Sequence, residues 1–426
     1  AASDVYKRQV QWYCFLLYGT AAGTVFHKVF FSQTGNGTTA LILSYMSFAI
    51  GYIAGPFGAI FFGHIGDRKG RKVTMYASLL MMGISTSIIG ILPPAASAGV
   101  GVVIVLQLMR LAQCFGRGGT WGGGILMAYE NVPENKRSFY AAIPQIGLPI
   151  GFGLSSILIA VPTLLLPEDI FFTWGWRIPF LAAIILTLIV IRQKGEMMET
   201  EDYKKAQAKL EAEEAEGKKH KVGFIPMVKG YWKTLLLGCG TRWVDGTFYN
   251  IFIVWILSYC INWLGMPLIQ TYIITIIACI FKIPFTLFGG WCAQKLGNTR
   301  TFVIGALASA VLSIPTLKVI ELSKGNLAIT IIGIVLGWSI AYNLIWAVIS
   351  SLWSSYFETE VRYSGISFVY HVPSFLVAGM VPTICTLLIN YGKGDTIYVG
   401  IYSTVVALIS AACALALKAR HDRGEK

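Results

Sequence analysis

The sequence predicts an all-α integral membrane protein of about twelve transmembrane helices arranged as two six-helix halves. Composition points there first. Of 426 residues, 55% are hydrophobic and only 13% charged, with a mean hydropathy of +0.64, whereas a soluble chain carries about 25% charge. Apolar runs of about 20 residues recur from end to end, the length that crosses a bilayer as a helix. These runs are continuous rather than alternating, which favours helices over a closed barrel. Segments of similar character also recur in the two halves of the chain.

In order, the spans are expected at roughly 10–31, 40–62, 73–92, 98–129, 138–165, 174–192, 231–262, 267–291, 300–318, 326–355, 363–390 and 396–417. Residues 1–9, AASDVYKRQ, resemble a translated sequencing adapter and are read as a non-native or disordered N-terminus. The N-terminal six-helix half then covers 10–192 and the C-terminal half 231–417, with a short tail at 418–426. Between the halves, residues 193–230 include KGEMMETEDYKKAQAKLEAEEAEGKKHK, charged and helix-favouring but without an apolar stripe. Such a segment reads as a solvated, partly helical linker.

The excess of 34 Lys and Arg over 21 Asp and Glu, a net charge of +13, is not spread evenly. GDRKGRK, ENKRS, the 193–230 segment, QKLGNTR, EVR and KARHDRGEK occupy alternate loops, while SQTGNGTT and LPPAASAG opposite them carry no charge. That asymmetry predicts a cytoplasmic location for the basic loops and both termini. It does not predict nucleic-acid binding, because no aromatic residues interleave with the basic ones on a soluble face. The eight cysteines follow no C-x-x-C spacing and mostly fall inside spans, which predicts neither a disulfide framework nor a metal site. No cofactor is expected.

The halves read as weak copies. GHIGDRKGRK (63–72) is answered by GGWCAQKLGNTR (289–300) roughly 227 residues later, and ENVPENKR (130–137) by FETEVR (357–362) about 226 residues later. Carriers built from paired six-helix halves show such internal symmetry, with the substrate held between the halves near the bilayer midplane. Glycine-rich stretches such as GGTWGGG (118–124) and GLPIGFG (147–153) predict close helix approach.

GHIGDRKGRK matches G-x-x-x-D-R-x-G-R-K, the motif between spans 2 and 3 of the major facilitator superfamily, through Gly63, Asp67, Arg68, Gly70 and Arg71, with Gly66 within it. Asp67 can pair across to a neighbouring helix end, and Arg68 and Arg71 can hold carboxylates on adjacent spans. Glu130 and Arg137 at the end of span 4, with Glu358 and Arg362 in the second half, are the matching lock candidates. A lock of this kind stabilises one access state.

Four longer segments, QWYCFLLYGTAAGTVFHKVFF (11–31), RLAQCFGRGGTWGGGILMAYENVPENKRSFYAAIPQIGLPIG (110–151), WGWRIPFL (174–181) and EVRYSGISFVY (360–370), resemble the metabolite:proton symporter family. LYGTAA and ILMAYENVP are most similar to its shikimate-like branch, and the similarity runs from about residue 11 to near the end. The resemblance implies proton-linked transport of organic acids or zwitterions across a bacterial inner membrane by a monomeric carrier. It also exposes departures. Where the family carries E-W-Y-D-F, this chain has Gln11 and Cys14 in place of both acids. Gly55 stands where the family has the arginine of R-P-x-G, and Thr120 where it has the glutamate of G-G-E-W-G-G. Their joint absence leaves few orphaned charges, yet removes the carboxylates that usually relay protons within membranes.

The intramembrane polar residues that remain are the candidates for substrate or coupling chemistry. Arg110 and Arg117 are seven residues apart in span 4, so they face nearly the same way about 10 Å apart along the axis. Thr120 and Trp121 lie near that face. Arg110 serves either the transport path or helix packing, and Arg117 either anchors the substrate or pairs with an acid such as Asp245 as a structural bridge. In span 7, Arg242 and Asp245 are spaced to pair with each other, and Tyr249 follows one turn on. Span 8 supplies Lys282, either site or snorkelling group, and span 11 supplies His371, whose imidazole can carry a proton. Trp12, Tyr13, Trp121, Tyr249 and Trp346 can form amphipathic walls, while His27 and Lys28 read as interfacial.

Arg110, Arg117, Arg242 and Lys282 against Asp245 give an excess of cations in a low-dielectric interior, which attracts an anion. The expected function is secondary transport of a small organic anion, shikimate- or dicarboxylate-like, by alternating access and coupled to protons. The alternatives are an uncoupled facilitator, a carrier for a betaine- or proline-like zwitterion, and a non-transporting membrane sensor or scaffold. An enzyme is not expected, since no catalytic constellation or metal-spaced set emerges.

Overall fold

The computed structural model describes residues 2–69, 71–130, 132, 136–192 and 224–425, with side chains placed except at 2–7, 66–69, 71–72, 120–130, 224–227, 359–360 and 363. The expected charged linker therefore lies, but for its last residues, outside the described residues.

The N-terminal half comprises α1 (Ala2–Thr24), α2 (Gly37–Lys69), α3 (Arg71–Ile91), α4 (Val100–Glu130), α5 (Arg137–Leu165) and α6 (Glu168–Arg192). The C-terminal half comprises α7 (Val228–Asn262), α8 (Leu268–Leu296), α9 (Asn298–Leu322), α10 (Leu327–Tyr356), α11 and α12 (Ile397–Asp422). Helix α11 is discontinuous, running as Thr359–His371, Phe375–Gly379 and Val381–Tyr391. Among the described residues, ten of these helices are long and apolar enough to cross a membrane, and α1 and α11 complete the twelve.

Two boundaries differ from expectation. Helix α1 begins at Ala2, so residues 2–9 continue the first helix, and Arg8 is buried with its Nη1 donating to Gln145 Oε1 at 3.2 Å. Helix α2 runs to Lys69 and α3 starts at Arg71. The 63–72 motif thus sits on two helix ends rather than in a loop, and Gly63 is a helical residue instead of a turn.

The packing repeats between the halves. Helix α4 packs on α2 and α3, α3 on α6, and α1 on α5; six helices later, α10 packs on α8 and α9, α9 on α12, and α7 on α11. The halves meet through two equivalent pairs, α5 with α8 and α11 with α2, and α1 also touches α7. A polar detail repeats too. Arg137 Nε donates to Val132 O at 3.4 Å, and Arg362 Nε donates to Phe357 O at 3.2 Å, each reaching five residues back.

Helices α2 and α4 approach backbone to backbone. A Cβ on Gly118 would lie 2.4 Å from Ala59 N and 2.5 Å from Gly55 O, so no larger residue fits there. The outside of the bundle is apolar, with Phe57, Leu165, Val311 and Leu376 exposed, while Arg110 and Lys282 are 0% exposed and Arg117, Arg242 and Asp245 2%. This inversion of the soluble pattern is what lipid contact requires.

Candidate functional site

The buried polar groups form a layer halfway along the bundle, and the two halves contribute differently. In the N-terminal half, Arg110 of α4 lies in a cage of rings, its guanidinium 4.5 Å from the Phe15 centroid, 4.3 Å from Tyr18 and 4.7 Å from Phe48. It also donates to Gln113 Oε1 and, at 3.5 Å, to Phe48 O. Gln113 in turn donates to Cys14 O at 2.9 Å and Thr86 Oγ1 at 2.7 Å, tying α4 to α1 and α3. Among the described residues, aromatic faces and carbonyl oxygens hold this charge without a carboxylate.

Arg117 shares that helix face, as the spacing predicts, with its guanidinium 3.8 Å from the Phe15 ring. It reaches further toward the second half, lying 5.1 Å from the Tyr52 ring and 5.5 Å from Tyr370 on α11. Arg242 of α7 lies 4.4 Å from the same ring. The two arginines, one from each half, therefore gather at one tyrosine.

Arg242 donates to Asp245 one turn along α7, and Tyr342 OH of α10 donates to the second oxygen of Asp245. Lys282 of α8 sits 4.4 Å over the Tyr342 ring and 4.7 Å over Trp338, and donates to Asn343 Oδ1 at 3.0 Å. Lys282 does not snorkel; it is held inside by α10. Among the described residues with placed side chains, Asp245 is the buried carboxylate, and Arg110, Arg117, Arg242 and Lys282 are the basic groups in the layer around it.

His371 of α11 is 1% exposed, edge-on to Tyr370 at 5.0 Å. A Cβ on Gly55 would lie 2.9 Å from its Nδ1, so the imidazole fills the room that the glycine leaves open. Trp12 of α1 packs against Tyr249 of α7 at 6.0 Å and Trp346 of α10 at 5.6 Å, joining the halves. Tyr13 points away, its OH donating to Pro179 O of α6 at 2.5 Å. The expected site residues Thr120 and Trp121 lie outside the described side chains. So do Gly66, Asp67, Arg68, Gly70, Arg71 and Glu130 of the expected lock. Glu358, at the start of α11, is exposed.

Three helices of the second half change pitch beside these groups, at the π turns Ile251–Trp255, Val335–Ala341 and Phe375–Gly379. They lie next to Tyr249, Tyr342 and His371 respectively. Such turns interrupt the regular backbone pattern and are frequent at functional sites. Tyr52, Tyr342, Asn343 and Tyr370 were not singled out from sequence. The signal available was a pair of polar neighbours, Tyr342 and Asn343, inside the apolar run of span 10, and a tyrosine directly before His371.

Contacts between the halves close both ends of the layer. At the end bearing the start of α1, Gln145 Nε2 donates to Ser350 Oγ at 2.7 Å and Trp346 Nε1 donates to Gln145 O at 3.1 Å. At the opposite end, Tyr45 OH donates to Ser258 Oγ at 2.6 Å, and Thr24 and Tyr272 share a hydrogen bond of 3.1 Å. Beyond that second closure is a cavity of about 680 Å³ lined by residues that include His27, Lys28, Trp255, Tyr259 and Asn390. Burial, with Lys28 beside it, holds the His27 imidazole down to about 4, so it is neutral near pH 7.

The family model of the Major Facilitator Superfamily matches residues 12–382. The chain is 34% identical over 420 residues to the inner membrane metabolite transport protein YhjE of Escherichia coli (strain K12), covering 97% of this chain and 92% of that one. It is 32% identical over 416 residues to the shikimate transporter of the same organism, covering 96% and 92%. Its fold is similar to the crystal structure of a D-xylose-proton symporter, with a TM-score of 0.71 at 16% identity, covering 98% of this chain and 96% of that one.

Proposed function

This chain belongs to the major facilitator superfamily and is a multi-pass secondary transporter, and from that premise we propose that it carries a small organic anion across a bacterial inner membrane, together with protons. The basic loops and both termini face the cytoplasm in this reading, following their alternate placement along the chain. The cavity near His27 is then the outer vestibule.

One observation carries the substrate class. Arg117 of the first half and Arg242 of the second both approach Tyr370, at 5.5 Å and 4.4 Å, where the halves meet. A carboxylate entering between them gains two charge-assisted contacts in dry surroundings and links the halves. Because each half supplies one arginine, rocking the halves apart loosens the grip on whichever side opens. Trp12, Tyr249 and Trp346 give that space an amphipathic wall suited to a hydroxylated or ring-bearing acid.

The similarity to a metabolite carrier and a shikimate transporter supports this class without naming the substrate. The test is uptake of labelled shikimate, dicarboxylates and glycine betaine into proteoliposomes. The reading expects carboxylates to enter and Arg117→Gln to lose most of that uptake. Uptake of betaine alone, or undiminished organic-anion uptake by Arg117→Gln, contradicts it.

A further inference from the structure

His371 is a titratable side chain in the central layer that the anion grip itself does not use. Its Nε2 is buried and accepts and donates no hydrogen bond among the described residues. It ends the first segment of α11, two residues before Pro373 and just ahead of the π turn Phe375–Gly379, so it sits where the helix is already interrupted. A buried polar atom without a partner costs free energy, and one that persists at a helix break beside buried arginines invites an explanation.

Its surroundings supply one. From α4 and α7 the charged groups acting on it are the guanidiniums of Arg117 and Arg242. Asp245 belongs to the same cluster but is engaged by Arg242 and Tyr342. Among the described residues the same cluster holds the tyrosine hydroxyls of Tyr52 from α2, Tyr249 from α7 and Tyr370 from α11, and Arg8 of α1 also acts on Tyr370. A third positive charge beside two guanidiniums in a dry layer is repelled. A carboxylate seated between those guanidiniums removes the repulsion and offers Nε2 an acceptor. The anion and the proton then favour each other, and reciprocity makes the two effects equal.

We propose that His371 is the proton-loading group of this transporter, taking up a proton at Nε2 together with an organic carboxylate held between Arg117 and Arg242. This rests on the anion reading above. In the loading step a proton from water adds to the free Nε2 lone pair, and the resulting N–H donates to the substrate carboxylate. No bond in the substrate changes. When the other side opens, the carboxylate leaves and the proton returns to water. One monocarboxylate and one proton cross with no net charge. The chain thereby regains a titrating group despite having Gln11, Cys14 and Thr120 in its first and fourth spans.

The experiment uses the full chain in detergent with shikimate as the probe, and citrate and succinate as further carboxylates. Binding is measured from pH 5.5 to 7.5, with proton uptake read from a dye in weak buffer and from calorimetry in buffers of different ionisation enthalpy. The expected result is uptake of about one proton per anion and an affinity that weakens about tenfold per pH unit. His371→Gln, with His371→Asn as the second variant, binds the anion more weakly and without proton uptake, and loses accumulation driven by a pH gradient. Binding without proton uptake by the parent chain, or unchanged proton uptake in a folded His371 variant, overturns the proposal. Failure of every carboxylate to bind overturns the anion reading itself, and the coupling with it.

Discussion

Arg242 and Asp245 pair one turn apart on α7, and Tyr342 of α10 closes the other side of the carboxylate. The pair is thus internal to the second half, yet its arginine still faces Tyr370, the ring that Arg117 of the first half also approaches. A charge held by its own helix is available to an anion without being left orphaned when the anion departs.

That arrangement predicts a sharp asymmetry in stability. Removing one partner strands a buried charge, which costs about 3–5 kcal/mol, whereas removing both costs much less. Asp245→Asn and Arg242→Gln should each lower the thermal midpoint in detergent, and the double variant should recover most of the loss. A double variant less stable than either single one would mean that the residues act independently.

Arg110 should behave differently from Arg117. Three rings and the Phe48 carbonyl surround it within the first half. Arg110→Lys keeps the charge but loses the planar stack and the fork of donors. We expect a lower thermal midpoint, by the equivalent of about 1–2 kcal/mol, with KM for transport nearly unchanged. A large KM increase with full stability would place Arg110 on the transport path instead.

The two closures between the halves should bias access in opposite senses. Tyr45→Phe removes the donor to Ser258, and Gln145→Ala removes the bridge to Ser350. Each hydrogen bond contributes about 0.5–1.5 kcal/mol, a shift of roughly two- to tenfold in the population of open states. Spin-label distances across each end should lengthen at the Tyr45 end in the first variant and at the Gln145 end in the second.

His27 supplies a pH effect at the vestibule. Its folded value of about 4 lies below the ordinary 6.5, so above pH 6.5 it is neutral in both states and costs nothing. As the pH falls from 6.5 toward 4, the unfolded chain binds the proton and the folded chain does not, and stability declines. His27→Gln should flatten that part of the stability profile, read as the thermal midpoint against pH.

The number of helices, their order and the duplicated halves were all legible, because hydropathy over about 20 residues is a direct consequence of the bilayer's thickness. The common face of Arg110 and Arg117 was legible too, since seven residues make nearly two whole turns. What surrounds each arginine was not. Heptad spacing cannot tell that Phe15, Tyr18 and Phe48, from two other helices, close over Arg110 while Arg117 reaches Tyr370. Tyr13 reads like Trp12 in sequence, but the helix turn between them sends one toward α6 and the other toward α7. The π turns escape a reading based on a 3.6-residue period, because one extra residue per turn leaves composition unchanged. Tyr342 and Asn343 do not stand out in the sequence, since their roles depend on Asp245 and Lys282 arriving from other helices.

The central claim is that an organic carboxylate binds between Arg117 and Arg242. It is tested most directly by calorimetric titration of shikimate, its uncharged methyl ester and glycine betaine into the purified chain and into Arg117→Gln. The account predicts that shikimate binds the parent chain, that the ester binds at least tenfold more weakly because it has lost the charge-assisted contacts, and that Arg117→Gln narrows that gap. Equal affinity for the acid and its ester, or preference for betaine unaffected by Arg117→Gln, would contradict it.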